Sequence, residues 1–179
     1  KEIFEEMGKV MWQIALLEDE QECINLICHI TEKFMKEHHL LYEIYIYTSV
    51  DELLRDFQKG KEEDVYLLDI ELPDGNGLEA AKYIRERGET PLLVYITNYV
   101  QYAIAAFEVN TFRYIPKTVL SQKLPEAYQA MQKIFEKRKN QDRQYLIGCS
   151  NDKTVKIRCR DIVYLKKEGN YVKREMAVV

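Results

Sequence analysis

Residues 65–80 read VYLLDIELPDGNGLEA, and the order of residue types in this stretch decides the fold. VYLLDI, 65–70, is an apolar run interrupted only by Asp69, without the alternation of a half-wet strand. Such a run is apolar on both faces, which is what a strand in a parallel sheet covered on both sides requires. The DGNG at 74–77 is turn chemistry, and 77–87 then shows helical periodicity. The stretch is therefore a buried strand that ends in an acid, turns, and enters a helix.

The same unit repeats in both directions. Upstream, QIALL at 13–17 stops abruptly at the acids Glu18, Asp19 and Glu20, and Ile24, Ile27, Thr31 and Phe34 follow at helical spacing. A Tyr- and Ile-rich strand at 41–47 and a short helix at 50–57 come next. Downstream, PLLVYIT at 91–97 is a third buried run, followed by a helix at 100–107 with Val100, Ala103, Ile104 and Phe107 on one face. A brief strand at 112–115 precedes a last helix with Leu124, Tyr128, Met131 and Phe135 on one stripe, expected to fray into the polar run 136–144. Five strand–helix pairs in alternation predict an α/β, doubly wound, flavodoxin-like domain with a five-stranded parallel sheet. Beyond 144 the period changes: 145–149, 154–158 and 162–165 read as short strands, the first two joined by a turn at Asn151-Asp152. The chain is thus a doubly wound domain followed by a short β-rich fragment, below the size that usually supports its own core.

Composition narrows the function classes. The 179 residues are 46% hydrophobic and 31% charged, with seven Gly and four Pro, an ordinary globular balance. No run approaches the apolar length of a membrane helix, and acids (Glu2, Glu5, Glu6) stand where a signal peptide carries bases, so no membrane role and a cytoplasmic location are expected. Cys23, Cys28, Cys149 and Cys159 form no CxxC pair and are read as free thiols. The net charge of −4 splits into −8 over residues 1–140 and +4 over 141–179. An acidic body suits a metal or a basic partner, and a basic tail suits phosphate or an acidic surface.

In an open parallel sheet, ligands bind outside the carboxyl ends of the strands. Here those ends carry Glu18 and Asp19, Asp69, Thr97 and, just past the last strand, Lys117. Clustered carboxylates repel, and a hard dication such as Mg²⁺ relieves them. A hydroxyl and an ammonium stabilise charge on an incoming phosphoryl oxygen. Taken singly, each has an ordinary reading: an acid as a cap or turn residue, Thr97 as a strand residue, Lys117 as a surface lysine. Glu20 is given only the capping role. Two apparent motifs fail on inspection. The acids from Asp69 onward superficially resemble a calcium loop, but Pro73 and Ala80 occupy ligand positions. His38 and His39 are adjacent and without partners, so a surface loop is expected. Trp12, close before the acidic end of its strand in sequence, is expected to report metal binding by fluorescence.

These segments resemble the receiver domain of two-component response regulators over about 12–137: IALLEDE at 14–20, LLDIELPDGNGLEA at 67–80, YIT at 95–97 and FRYIPK at 112–117. The resemblance implies that Asp69 accepts a phosphoryl group from a histidine kinase. It implies that Asp19, assisted by Glu18, holds Mg²⁺ with Asp69 and the backbone carbonyl of Glu71. Lys117 would pair with the phosphoryl group, and Thr97 and Tyr114 would act as the switch, with a phosphorylation-dependent homodimer formed on the face of 100–107 and the last helix. Two departures stand out: Pro116 precedes the lysine and Thr118 follows it, where the proline is often placed after, and Asn98 follows the switch hydroxyl where a small residue is usual.

The tail resembles the start of a LytTR-type DNA-binding domain, carried by DIVYLKKEGNYVK at 161–173. That resemblance places Asn170, Tyr171 and Lys173 near DNA, with Lys166 and Lys167 on phosphates. The organisation expected is an N-terminal extension at 1–11, a receiver domain at 12–137, a linker at 138–144 and the N-terminal part of a LytTR-type domain at 145–179, with weak DNA binding by this chain alone. The reading is a transcriptional response regulator that catalyses only its own phosphorylation and dephosphorylation. Its rivals are a Mg²⁺-dependent phosphatase or phosphotransferase with Asp69 as nucleophile, and a receiver acting only through protein partners.

Overall fold

A computed structural model describes residues 11–88, 91–142, 145–150, 153–158, 162–168 and 171–176. The chain divides into two compact units, Lys1–Tyr128 and Gln129–Val179. In the first, strands β1 (Met11–Leu17), β2 (Leu41–Tyr47), β3 (Val65–Leu68), β4 (Leu92–Thr97) and β5 (Arg113–Pro116) form one sheet in the order β2-β1-β3-β4-β5, and every neighbouring pair is parallel. Helices α1 (Gln21–Glu37), α2 (Val50–Gln58), α3 (Gly77–Arg87), α4 (Ala103–Phe107) and α5 (Leu120–Asp142) make the connections. The expected five-stranded doubly wound sheet is what forms.

The uninterrupted apolar runs are the central strands. All four residues of β3 and all six of β4 are buried, while the edge strand β2 keeps Leu41 and Ile46 exposed. Because side chains alternate across a strand, β1 serves two cores. Ala15 and Leu17 pack in a cluster with Leu53 and Phe57 of α2, Ala81 and Ile84 of α3 and Ala106 of α4. On the other face Trp12 meets Tyr128 of α5 edge-on, and Phe34 of α1 lies 5.3 Å from the same ring. Tyr128 is also hydrogen-bonded to the Thr31 hydroxyl at 2.7 Å, so its buried polar tip is satisfied. Trp12 therefore sits at the far end of β1 from the acids, about 20 Å away at 3.3 Å per residue. It is poorly placed to report on them.

Two helical expectations change. The helix expected over 100–107 is a 3₁₀ turn, Val100–Tyr102, followed by the five-residue α4. Its inward residue is Ala106, whereas Ile104 is 81% exposed. The last helix does not fray at 136 but continues through Asp142. His38 caps α1 and stacks on Phe34, and His39 takes φ 53° beyond it, both exposed as expected. Cys23 and Cys28 are free thiols; the side chains of Cys149 and Cys159 lie outside the described residues.

In the second unit, Tyr145–Ser150 (β6) pairs antiparallel with Lys153–Arg158 (β7), and Ile162–Glu168 (β8) with Tyr171–Met176 (β9). The turn expected at Asn151-Asp152 lies outside the described residues.

Candidate functional site

The sheet order reverses between β1 and β3, since the chain leaves β1 towards β2 and returns on its other side to β3. Crevices at such a point are where open α/β sheets bind ligands. Leu17 and Leu68 are register partners. The next residues, Glu18 and Asp69, therefore emerge level with each other, and Asp69 N donates to Leu17 O at 2.9 Å. Both side chains are buried. Among the described residues, Glu18, Asp19 and Asp69 form a group whose carboxylate oxygens lie within 4.8 Å of one another.

Lys117 enters this group from β5. Its Nζ lies 2.7 Å from Asp69 Oδ2, 2.8 Å from Glu18 Oε2 and 3.3 Å from Glu20 Oε2. The hydrogen bond to Glu18 is directed at Oε1, 3.0 Å away, leaving Oε2 buried beside the ammonium but without a hydrogen bond. Burial works against the lysine's charge, but the hydrogen bonds it donates to Asp69 and Glu18 outweigh it and its pKa is raised. One ammonium for three clustered carboxylates leaves net negative charge, and Glu18 Oε2 is buried with an ion pair but no directed hydrogen bond. This donor set fits a hard, oxygen-seeking dication.

Pro116 does not keep the ammonium away. It lies on edge strand β5, opposite Thr97, where a missing N–H costs no ladder bond, and Lys117 opens the following 3₁₀ turn. Thr97 is fully buried at the end of β4, and Asn98 is exposed. Tyr114, half-buried on β5, donates its hydroxyl to the Tyr99 carbonyl. The structure thus brings Glu18, Asp19, Asp69 and Lys117 together, with Thr97 and Tyr114 on the two strands beside them.

Several contributors escaped the sequence reading. Glu20 occupies the N-cap position of α1 yet makes no side-chain capping bond; its carboxylate turns to Lys117. Tyr99 links two groups: its N–H reaches Thr97 Oγ1 at 3.4 Å and its carbonyl accepts from Tyr114, while the nearby Glu71 carboxylate pushes the phenol pKa up. Gly77 is needed for space. A Cβ there would lie 1.8 Å from the Asp69 carbonyl oxygen, and Gly77 N donates to Ile70 O at 2.8 Å. The glycine at the start of a helical pattern was the available signal, but it names no neighbour.

In the second unit, Lys166 pairs with Lys173, Lys167 with Val172 and Glu168 with Tyr171. Asn170 lies outside the described residues. No described helix is long and apolar enough to cross a membrane.

Comparison with known proteins agrees with this geometry. The family profile described as response regulator receiver domain matches residues 14–129. The sensory transduction protein LytT of Bacillus anthracis is 33% identical over 107 residues, which cover 60% of this chain and 42% of that protein. The transcriptional regulatory protein LytR of Staphylococcus aureus (strain N315) is 26% identical over 111 residues, 61% of this chain and 45% of LytR. The matched stretch thus spans less than half the length of either relative. Among solved structures, the response regulatory domain of mrkE from Klebsiella pneumoniae superimposes with a TM-score of 0.62 at 24% identity, covering 70% of this chain and 98% of that one. The response regulator TrrA of Thermotoga maritima, solved in complex with Mg²⁺-BeF, does so with a TM-score of 0.55 at 26% identity, covering 68% and 99%. The profile match covers most of the chain and falls on the unit that carries Glu18, Asp69 and Lys117: the chain belongs to the response regulator receiver domain family.

Proposed function

We propose that this chain is the phosphoryl-accepting switch of a transcriptional regulator, with Asp69 as the acceptor. The observation that carries the proposal is the placing of the Lys117 ammonium against both Asp69 and Glu18, inside a group of three carboxylates. An Asp69 carboxylate oxygen attacks the phosphorus of a histidine kinase's phosphohistidine; the P–N bond breaks as the P–O bond forms, and the imidazole leaves. Lys117 exchanges a carboxylate partner for a phosphoryl oxygen, stabilising the charge that gathers there. Glu18, Asp19, Asp69 and the Glu71 backbone carbonyl would hold Mg²⁺, which supplies positive charge to the transferring group. The pocket needs no reorganisation to bring these side chains together.

Release of Lys117 from its carboxylates changes what Thr97 and Tyr114 experience, and Tyr99 connects the two. Output then follows a shift between two arrangements, read by a second copy on the surface bearing Ile104. The second unit is read as LytTR-type, and its β8–β9 ribbon sets Lys166 and Lys173 in register with each other. Directly opposed lysines repel each other, and a polyanion such as DNA relieves that repulsion. The domain division expected from the sequence is proposed with it, with the cytoplasm as the place where a kinase and DNA are both available. Turnover of a small phosphoester is disfavoured, since the position two residues after Asp69 is Glu71 and not a second Asp, and no cap-sized insertion follows it.

The test is intact mass spectrometry after treatment with acetyl phosphate and Mg²⁺. One phosphoryl group is expected on the parent chain and none on Asp69→Asn or in EDTA. Labelling of Asp69→Asn at another carboxylate would overturn the assignment.

A further inference from the structure

After Asp69 the chain makes a short excursion before α3. Glu71–Leu72 pairs antiparallel with Gly75–Asn76, and the ladder has only these two residue pairs. So short a ribbon cannot hold its own position in water. Its base is fastened by Gly77, as described, and by Asn76 Oδ1, which accepts from Leu78 N at 2.8 Å and caps α3. Its tip is fastened elsewhere.

The Asp74 carboxylate spans the N-terminus of α2. Oδ1 accepts from Val50 N and Oδ2 from Asp51 N, both at 3.2 Å. These are N–H groups of the first turn, which have no partner within the helix and lie at its positive end. Beside this clamp, a Cβ on Gly75 would come within 3.2 Å of Val50 Cγ2, so the ribbon backbone already rests against that buried side chain. Two independent contacts therefore seat the tip on α2. Glu71 lies between the fastened base and the fastened tip.

We propose that Asp74 is a positioning residue for the metal site: by clamping the ribbon to α2 it sets where the Glu71 carbonyl stands. The inference rests on the proposed function, in which that carbonyl is a metal ligand. It also makes α2 part of the phosphorylation machinery, because a shift of its N-terminus moves a ligand of the ion.

Calorimetric titration with Mg²⁺ alone tests this on the whole chain, without phosphorylation. Asp74→Ala should weaken Mg²⁺ binding about tenfold, the scale on which supports of metal ligands act. Asp74→Asn, uncharged but keeping one acceptor oxygen, should fall between it and the parent. Ser49→Ala is the control: Ser49 Oγ caps the same helix through Glu52 N at 3.2 Å and does not touch the ribbon. It should lower the melting temperature and leave Mg²⁺ affinity unchanged. Parent-like affinity in Asp74→Ala, equal weakening in Ser49→Ala, or identical losses in the Asn and Ala variants would overturn the clamp, the last by assigning the effect to charge alone. A parent chain that takes up no Mg²⁺ would overturn the reading of the site itself, and the positioning role with it.

Discussion

Lys117 Nζ and Asp69 Oδ2 stand 2.7 Å apart, although the two residues come from opposite ends of the β3-β4-β5 half of the sheet. The lysine side chain is 12% exposed and that of the aspartate 6%, so neither is rescued by bulk water if the other is lost. Removing one member of a buried pair leaves an uncompensated charge. Lys117→Met should therefore cost about 3 kcal/mol in urea melts in EDTA. Saturating Mg²⁺ should recover most of it. A raised lysine pKa contributes stability that is complete below the unfolded value, about 10.4, and is lost as pH climbs through the folded value. The alkaline decline of stability should accordingly be shallower in Lys117→Met than in the parent.

Gly77→Ala drives a methyl group into the Asp69 carbonyl, which is rigid backbone. We expect a loss of about 3 kcal/mol, the upper range for an overpacked site, and slower labelling by acetyl phosphate. A variant as stable as the parent would show that the ribbon base yields without cost.

Glu63 is 4% exposed and sits at the opposite end of β3 from Asp69. Burial raises its pKa, partly opposed by hydrogen bonds from the Tyr66 and Tyr47 hydroxyls and by Lys61. An acid whose folded pKa is raised binds its proton more tightly when folded, so stability falls as pH rises from the unfolded value, about 4.3, through the folded one. Glu63→Gln should flatten the fall of stability as pH rises above the unfolded value and should be no less stable than the parent at pH 7. Chemical denaturation at several pH values reads this directly, and an unchanged slope would show that the glutamate does not titrate there.

Ile104, 81% exposed, is the apolar residue most open to a second chain among the exposed large hydrophobics described. Beryllium fluoride with Mg²⁺ should promote association in sedimentation runs, and Ile104→Lys should suppress it while leaving Mg²⁺ affinity unchanged. Association that persists in the variant would assign the contact to another surface.

Tyr114→Phe removes the donor to the Tyr99 carbonyl, at about 1 kcal/mol for a single neutral hydrogen bond. Acetyl phosphate labelling should survive, while association with beryllium fluoride should weaken. Loss of labelling would place Tyr114 in the chemistry instead of in the read-out.

The strands were legible because each is a local pattern: VYLL and LLVYI are apolar runs without alternation, and only a sheet covered on both faces buries them. The residues that follow them, Glu18, Asp69, Thr97 and Lys117, were legible for the same reason, since a polar group directly after such a run stands at its carboxyl end. Glu20 and Asp74 were missed because their types suit helix starts and turns anywhere, and Tyr99 because it acts through its backbone N–H and carbonyl, which every residue carries.

By itself, then, the amino-acid sequence determined the parallel sheet, the ends of its strands and the chemical kinds gathered there, all of which follow from unbroken apolar runs and helical periods of 3.6 within a few residues. Only the tertiary structure decided which ends adjoin. Lys117 meets Glu18 across 99 positions of chain because β5 closes the order β2-β1-β3-β4-β5. Asp74 reaches Val50 because the ribbon falls beside α2. Those neighbours are set by how the helices pack on the sheet, and no local pattern encodes that distance.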